Sequence, residues 1–96
     1  MQFAAIYTLK SGTEESAKRS LALFMAWQPP FEFAGHWARG DGNGGIAIIE
    51  AESAAIVLEG IAPWTPFFHF EVTPVVAVED AVPIFHKVYA WRDSVG

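Results

Sequence analysis

A histidine and a glutamate that could share proton chemistry stand close together in this sequence: His69 and Glu71, two positions apart in FFHFEVTPVV, residues 67–76. Imidazole titrates near neutral pH and a neighbouring carboxylate fixes its tautomer, so the pair has the makings of a general base with its orienting acid. In an extended strand, alternation puts His69, Glu71 and Thr73 on one side and Phe68, Phe70 and Val72 on the other. The Cβ atoms of His69 and Glu71 are then roughly 7 Å apart, close enough to share a ligand. Two polar residues at period two are also what the wet side of any amphipathic strand presents. His36 is a third candidate base, although a strand histidine more often hydrogen-bonds across a sheet or an interface. Tyr7, Trp37 and Trp64 are the candidate ligand-binding residues, and Trp27 joins the two tryptophans as a set able to line a pocket for a flat apolar ligand. Aromatic walls with a few polar groups are how small-molecule sites are built, and packing of a core or a dimer is the competing use.

Metal and phosphate chemistry find little support. His36, His69 and His86 lack ligand spacings such as HxH or HxxxH. The glycines of GDGNGG lie between two strands and no Lys-Ser/Thr follows, so the segment is a hairpin turn and not a phosphate loop. Asp41 and Asn43 hint at a calcium loop, but the acidic ligands that should follow at fixed spacing are missing. Glu50, at a strand end, is read as solvated or as a partner for Arg39 across the hairpin. No cofactor is expected.

The elements that must position these residues come in a regular order. QFAAIYTL (2–9) carries Phe3, Ala5, Tyr7 and Leu9 on one side and Ala4, Ile6 and Thr8 on the other, a strand apolar on both faces. Ser11 or Thr13 caps a helix with Glu14 and Glu15 in its first turn and an apolar stripe of Ala17, Leu21, Phe24 and Met25. Gln28-Pro29-Pro30 stops it near Trp27. FEFAGHWAR (31–39) and IAIIEA (46–51) are strands flanking the glycine turn. Ser53 caps a second helix over about 53–62, the opening stretch is the fourth strand, and Glu79 and Asp80 start a third helix that leaves 90–96 as a tail.

The order βαββαβα is that of an α+β ferredoxin-like sandwich with a C-terminal helix, one domain over residues 1–96. Its two crossover helices cover one sheet face and leave the other bare. Such a face exposes more apolar surface than monomers usually tolerate, so a homodimer through it is expected. The composition agrees: hydrophobic residues make up 52% and aromatics 15%, more than a domain of 96 residues needs for its interior. A net charge of -5 with scattered basic residues argues against nucleic acid. The absence of cysteine rules out thiolate chemistry. No basic lead-in precedes an apolar stretch, and no uncharged run reaches ~18 residues, so no membrane span is expected and a cytoplasmic location is the default.

FAAIYTLKSG at the start, the GHW after the first helix, the glycine-rich turn before IAIIEA, and Trp64 followed by FEVTPVV together resemble the DUF3303 family, small bacterial domains of unassigned function. The likeness spans about residues 2–77. Trp37, Glu50, Trp64, Glu71 and Pro74 match its recurrent pattern and His69 does not; the resemblance carries no catalytic set. More broadly the chain looks like the dimeric α/β barrel superfamily, which includes antibiotic-biosynthesis-type monooxygenases. That resemblance implies two sheets facing one another, with ligands held between sheet and helices or within the barrel, and leaves the chemistry open. The expectation is a small dimeric protein that binds an apolar or aromatic molecule in a cleft. The alternatives are a cofactor-independent monooxygenase using His69 or His36 as base, or a structural assembly module.

Overall fold

Alternation in the first eight residues becomes β1 (Gln2–Leu9), a central strand in the computed structural model, which describes residues 1–96. The remaining elements are α1 (Glu14–Ala26), β2 (Glu32–Ala38), β3 (Gly44–Glu50), α2 (Ala54–Ile61) with a short 3-10 turn (Ala62–Trp64), β4 (Phe68–Val75) and α3 (Val78–Val95). The strands form one antiparallel sheet in the order β2-β3-β1-β4. This is the ferredoxin-like α+β arrangement expected from the element order. No helix is long and apolar enough to cross a membrane.

Local chemistry accounts for the helix boundaries. Thr13 is the cap of α1, its hydroxyl accepting from the Ser16 N–H at 3.2 Å, while Ser11 Oγ accepts from the Thr13 N–H. Ser53 caps α2 in the same way through the Ile56 N–H. Beyond Trp27 the two prolines leave α1 no way to continue. The α1 face toward the sheet is Ala17, Ser20, Leu21 and Phe24, of which only Ser20 is buried; Met25, expected on the apolar stripe, lies off this face and is the most exposed large side chain of the stripe. Ser20 satisfies its own hydroxyl by donating to the Ala17 carbonyl at 2.9 Å, so its burial leaves no polar group unpaired.

The core lies between the helices and one sheet face. Phe3 and Ala5 of β1 meet Ile49 and Ala47 of β3 in register, and Val57 of α2 and Phe31 close over them. Phe3 and Ile49 are each 1% exposed, the best-buried large side chains together with Val57. Gly60 lies so close to the Phe31 ring that any side chain there would collide with it, which lets α2 approach the β2 entry.

Two boundaries differ from the sequence reading. β3 begins at Gly44 and not near Ile46, because Gly44 adopts a φ of 147° that lets it pair against the backbone of Tyr7 and Thr8. The expected tail at 90–96 is helical as far as Val95, so α3 runs 18 residues, and none of them is buried.

Candidate functional site

The site is built by a kink in β2. Phe33 pairs with Ile49, but the next register pair is Gly35 with Ile48, so the strand carries a β-bulge around Ala34. The extra residue shifts the parity of everything after it. Phe33 and His36, which strict alternation would send to opposite faces, both lie on the helix side, and Trp37 goes to the open side. Their rings stack at 4.6 Å between centroids and 11° between planes.

On that face His36, which pairs with Ala47 of β3, reaches diagonally across β3 to Tyr7 of β1, which pairs with Gly45. The Tyr7 hydroxyl and His36 Nε2 are 2.7 Å apart. Gly45 is required here: a Cβ at that position would run into the Tyr7 hydroxyl and the Trp37 carbonyl. Partial burial lowers the pKa of His36 below its ordinary value and raises that of Tyr7, so both groups are held neutral at pH 7. Whichever imidazole nitrogen carries the proton, the pair keeps one unused donor and one unused acceptor. These are His36 Nδ1–H with the Tyr7 oxygen, or the Tyr7 O–H with Nδ1.

The pair stands in a cavity of about 500 Å³, open to solvent, between the sheet and α1. Its walls are aromatic. Trp27 and Trp64 meet edge to face with centroids 5.2 Å apart, Phe24 of α1 reaches Trp27, Trp64 and His36 at 6.0–6.2 Å, and Phe68 lies edge-on to Tyr7 at 5.1 Å. No Asp, Glu, Lys or Arg lines it. Trp64 is 6% exposed, and its buried indole N–H has no acceptor within the protein, an unmet donor costing roughly 1–3 kcal/mol.

Of the residues singled out from the sequence, Tyr7, Trp27, His36 and Trp64 line this cavity together. His69 and Glu71 pair in register with Thr8 and Ile6, and Trp37 pairs with Ile46; all three stand on the opposite, open face. The sheet separates them from the cavity. Trp37 is 60% exposed there, its indole lying over Gly35. Phe24, Phe33 and Phe68 belong to the cavity and were not singled out. For Phe68 the cue was present, since the aromatic side of β4 had to face the helices. No group of three or more His, Asp or Glu side chains is placed to hold a metal ion.

Fold and site together define a class: a small ferredoxin-like α+β domain with an aromatic cavity between sheet and helices and one neutral polar pair within it. The pattern of the chain is more particular than that. Residues 1–89 match the family described as a domain of unknown function, DUF3303, and the chain belongs to that family. The match continues past residue 77 into α3, as far as Tyr89. A comparison with curated proteins gave no match.

Proposed function

We propose that this protein binds a small, neutral, flat aromatic molecule bearing one hydroxyl or carbonyl oxygen, in the cavity between its sheet and α1. The observation that carries the reading is the Tyr7–His36 pair, hydrogen-bonded at 2.7 Å in an aromatic cavity of about 500 Å³ that no Asp, Glu, Lys or Arg lines. That volume is in the usual range for small-molecule sites, and such sites combine apolar walls with a few placed polar groups. An ionised ligand would enter without a counter-charge and lose its hydration unrepaid. A hydroxyl or carbonyl would use the donor or acceptor that the pair leaves free.

Quenching of tryptophan fluorescence by 1-naphthol, naphthalene and 1-naphthoate tests it, since Trp27 and Trp64 are in the wall. Saturable binding in the order naphthol, naphthalene, naphthoate is expected. No saturable binding of any of the three would sink the proposal and leave packing as the use of the aromatics.

The same pair favours a second reading, cofactor-independent oxygenation of such a molecule. In this reading neutral His36, through the Nδ1 that its contact with Tyr7 leaves free, takes the proton of a bound phenol, the first step in making it reactive toward dioxygen. Consumption of the ligand with uptake of dioxygen, abolished in His36→Ala while binding persists, would establish it.

The reading includes a homodimer through the open sheet face. What supports it is the apolar character of that face: Ile6, Ile46 and Trp37 are 41–60% exposed on adjacent strands.

A further inference from the structure

The C-terminal helix is the part of the chain that its own fold leaves unused. None of the 18 residues of α3 is buried, and the chain extends 60 Å along its longest axis with a radius of gyration of 17.5 Å. A compact domain of this length has a radius of about 12–13 Å. Yet α3 is strongly two-sided. At 100° per residue Ala81, Ile84, Val88, Trp91 and Val95 form one stripe at spacings of three and four. Val82, Phe85 and Tyr89 form a second beside it, and together they occupy half the helix circumference. Glu79, Asp80, His86, Lys87 and Asp93 fill the other half. The larger of these apolar side chains are 44–69% exposed. A single helix in water gains most of its stability from packing such a face, so this one needs a partner surface.

The geometry points to the open sheet face of a second copy as that surface; we propose that α3 is an arm exchanged between two chains, each covering the other's bare sheet. This rests on the homodimer reading above and says what covers the face. Two observations choose this occupant.

The first is area. A helix of 18 residues is about 27 Å long and half of its lateral surface is roughly 450 Å². Two arms and the two surfaces they cover then remove about 1,800 Å², within the range of stable specific interfaces. Strands of seven or eight residues are about as long as the helix, so an arm laid along them meets Ile6, Ile46, Ile48 and Trp37.

The second is charge. Arg92 is the one charged residue inside the apolar half of α3, where it lies 5.0 Å over the Tyr89 ring and holds an exposed ion pair with Asp93 at 3.2 Å, a contact of little worth that a carboxylate on a partner can replace. Within the strands the charged residues on the open sheet face are all acidic: Glu71 on β4, and Glu32 and Glu50 at the far end of the sheet, where Glu50 faces the N-terminal ammonium at 3.8 Å. Of the cations just past β1 and β2, Arg39 is paired with Asp41 and Lys10 has no ion pair. Glu71 has no ion-pair partner in its own chain. An anionic lipid surface suits the helix less well, because its polar side carries three acidic groups against one lysine and the chain is at -5 overall.

The chain has no cysteine, so a directed cross-link has no background. Full-length Val88→Cys and Ile46→Cys chains are purified separately, their masses measured by native mass spectrometry, then mixed, incubated to allow subunit exchange and oxidised. A disulfide-linked heterodimer of one chain of each kind, dominant over both homodimers, is the expected result. Dominant Ile46→Cys homodimers would mean that sheet meets sheet, overturning the arm while the dimer stands. Dominant Val88→Cys homodimers would mean helix against helix, and would likewise overturn it. A dimer giving no cross-link in any mixture also overturns the arm. A monomer at every concentration, with or without binding to phosphatidylglycerol vesicles, overturns the arm and the dimer together.

Discussion

The Tyr7 hydroxyl and His36 Nε2 lie 2.7 Å apart, although the two residues are separated by 29 positions in the chain and sit on strands that are not neighbours. The contact passes over Gly45 of the strand between them, a residue with no side chain to block it. On the proposed reading, recognition of a ligand's oxygen rests on this pair.

Tyr7→Phe removes the hydroxyl and keeps the ring. Loss of one neutral hydrogen bond costs about 0.5–1.5 kcal/mol, so 1-naphthol affinity should fall roughly two- to thirteenfold while naphthalene affinity stays level. Equal losses for the two ligands in a fluorescence titration would show that Tyr7 acts through its ring alone.

His69→Ala should leave naphthol binding unchanged, because His69 stands on the far side of the sheet, opposite Thr8. The comparison with His36→Ala, which should weaken naphthol binding, separates the two histidines as candidate bases. A weakening in His69→Ala comparable to that in His36→Ala would place the ligand on the open face.

Acid should weaken both ligand binding and the fold through His36. Burial lowers its folded pKa below the ordinary 6.5, so the unfolded chain takes up the proton first as pH falls. The neutral ring's contribution is therefore fully present above pH 6.5 and is lost as pH drops through the lower folded value. Tyr7 has the opposite sense: its raised pKa leaves stability complete below pH 10 and lost as pH rises past that. Thermal melts of the native chain and of His36→Ala between pH 5 and 8 measure the first effect. The difference between them should change below pH 6.5, and a constant difference would refute it.

Gly45→Ala should destabilise the fold by about 1–3 kcal/mol, since the added methyl meets the Tyr7 hydroxyl and a strand carbonyl. It should also weaken naphthol binding by displacing the hydroxyl. A variant with unchanged melting temperature and unchanged binding would show that Gly45 is not what lets the pair form.

In the core, Ile49→Ala should cost about 2–5 kcal/mol because the side chain is 1% exposed among Phe3, Phe31 and Val57. Met25→Ala, on a side chain 78% exposed, should stay within about 0.5 kcal/mol of the parent. Denaturant unfolding of the two variants checks both, and a large loss in Met25→Ala would mean that α1 is rotated from the orientation described.

Much of this protein is written locally. Period-two alternation, Thr13 and Ser53 at the helix starts, Pro29 and Pro30 after α1, and the glycines between β2 and β3 specify the elements and their order. Short-range sterics and capping hydrogen bonds act over a few residues whatever the rest of the chain does. Alternation also told correctly that Phe68 and Phe70 face the helices and that His69 and Glu71 do not. Where α3 would end was less legible, because Ala90–Val95 carries neither a stop signal nor a packing partner within the chain.

The site was decided by tertiary structure. His36 and Phe33 share a face only because β2 bulges at Ala34; the isolated Gly35 beside it was the one local cue, and whether and where a strand bulges is settled by its pairing, here with β3. One inserted residue reverses the facing of every side chain after it, which is why the same stretch could have offered Trp37 to the cavity and instead offers His36. Tyr7 and His36 meet because the sheet order places their strands on either side of β3, and contacts between residues far apart in sequence exist only once the sheet has formed.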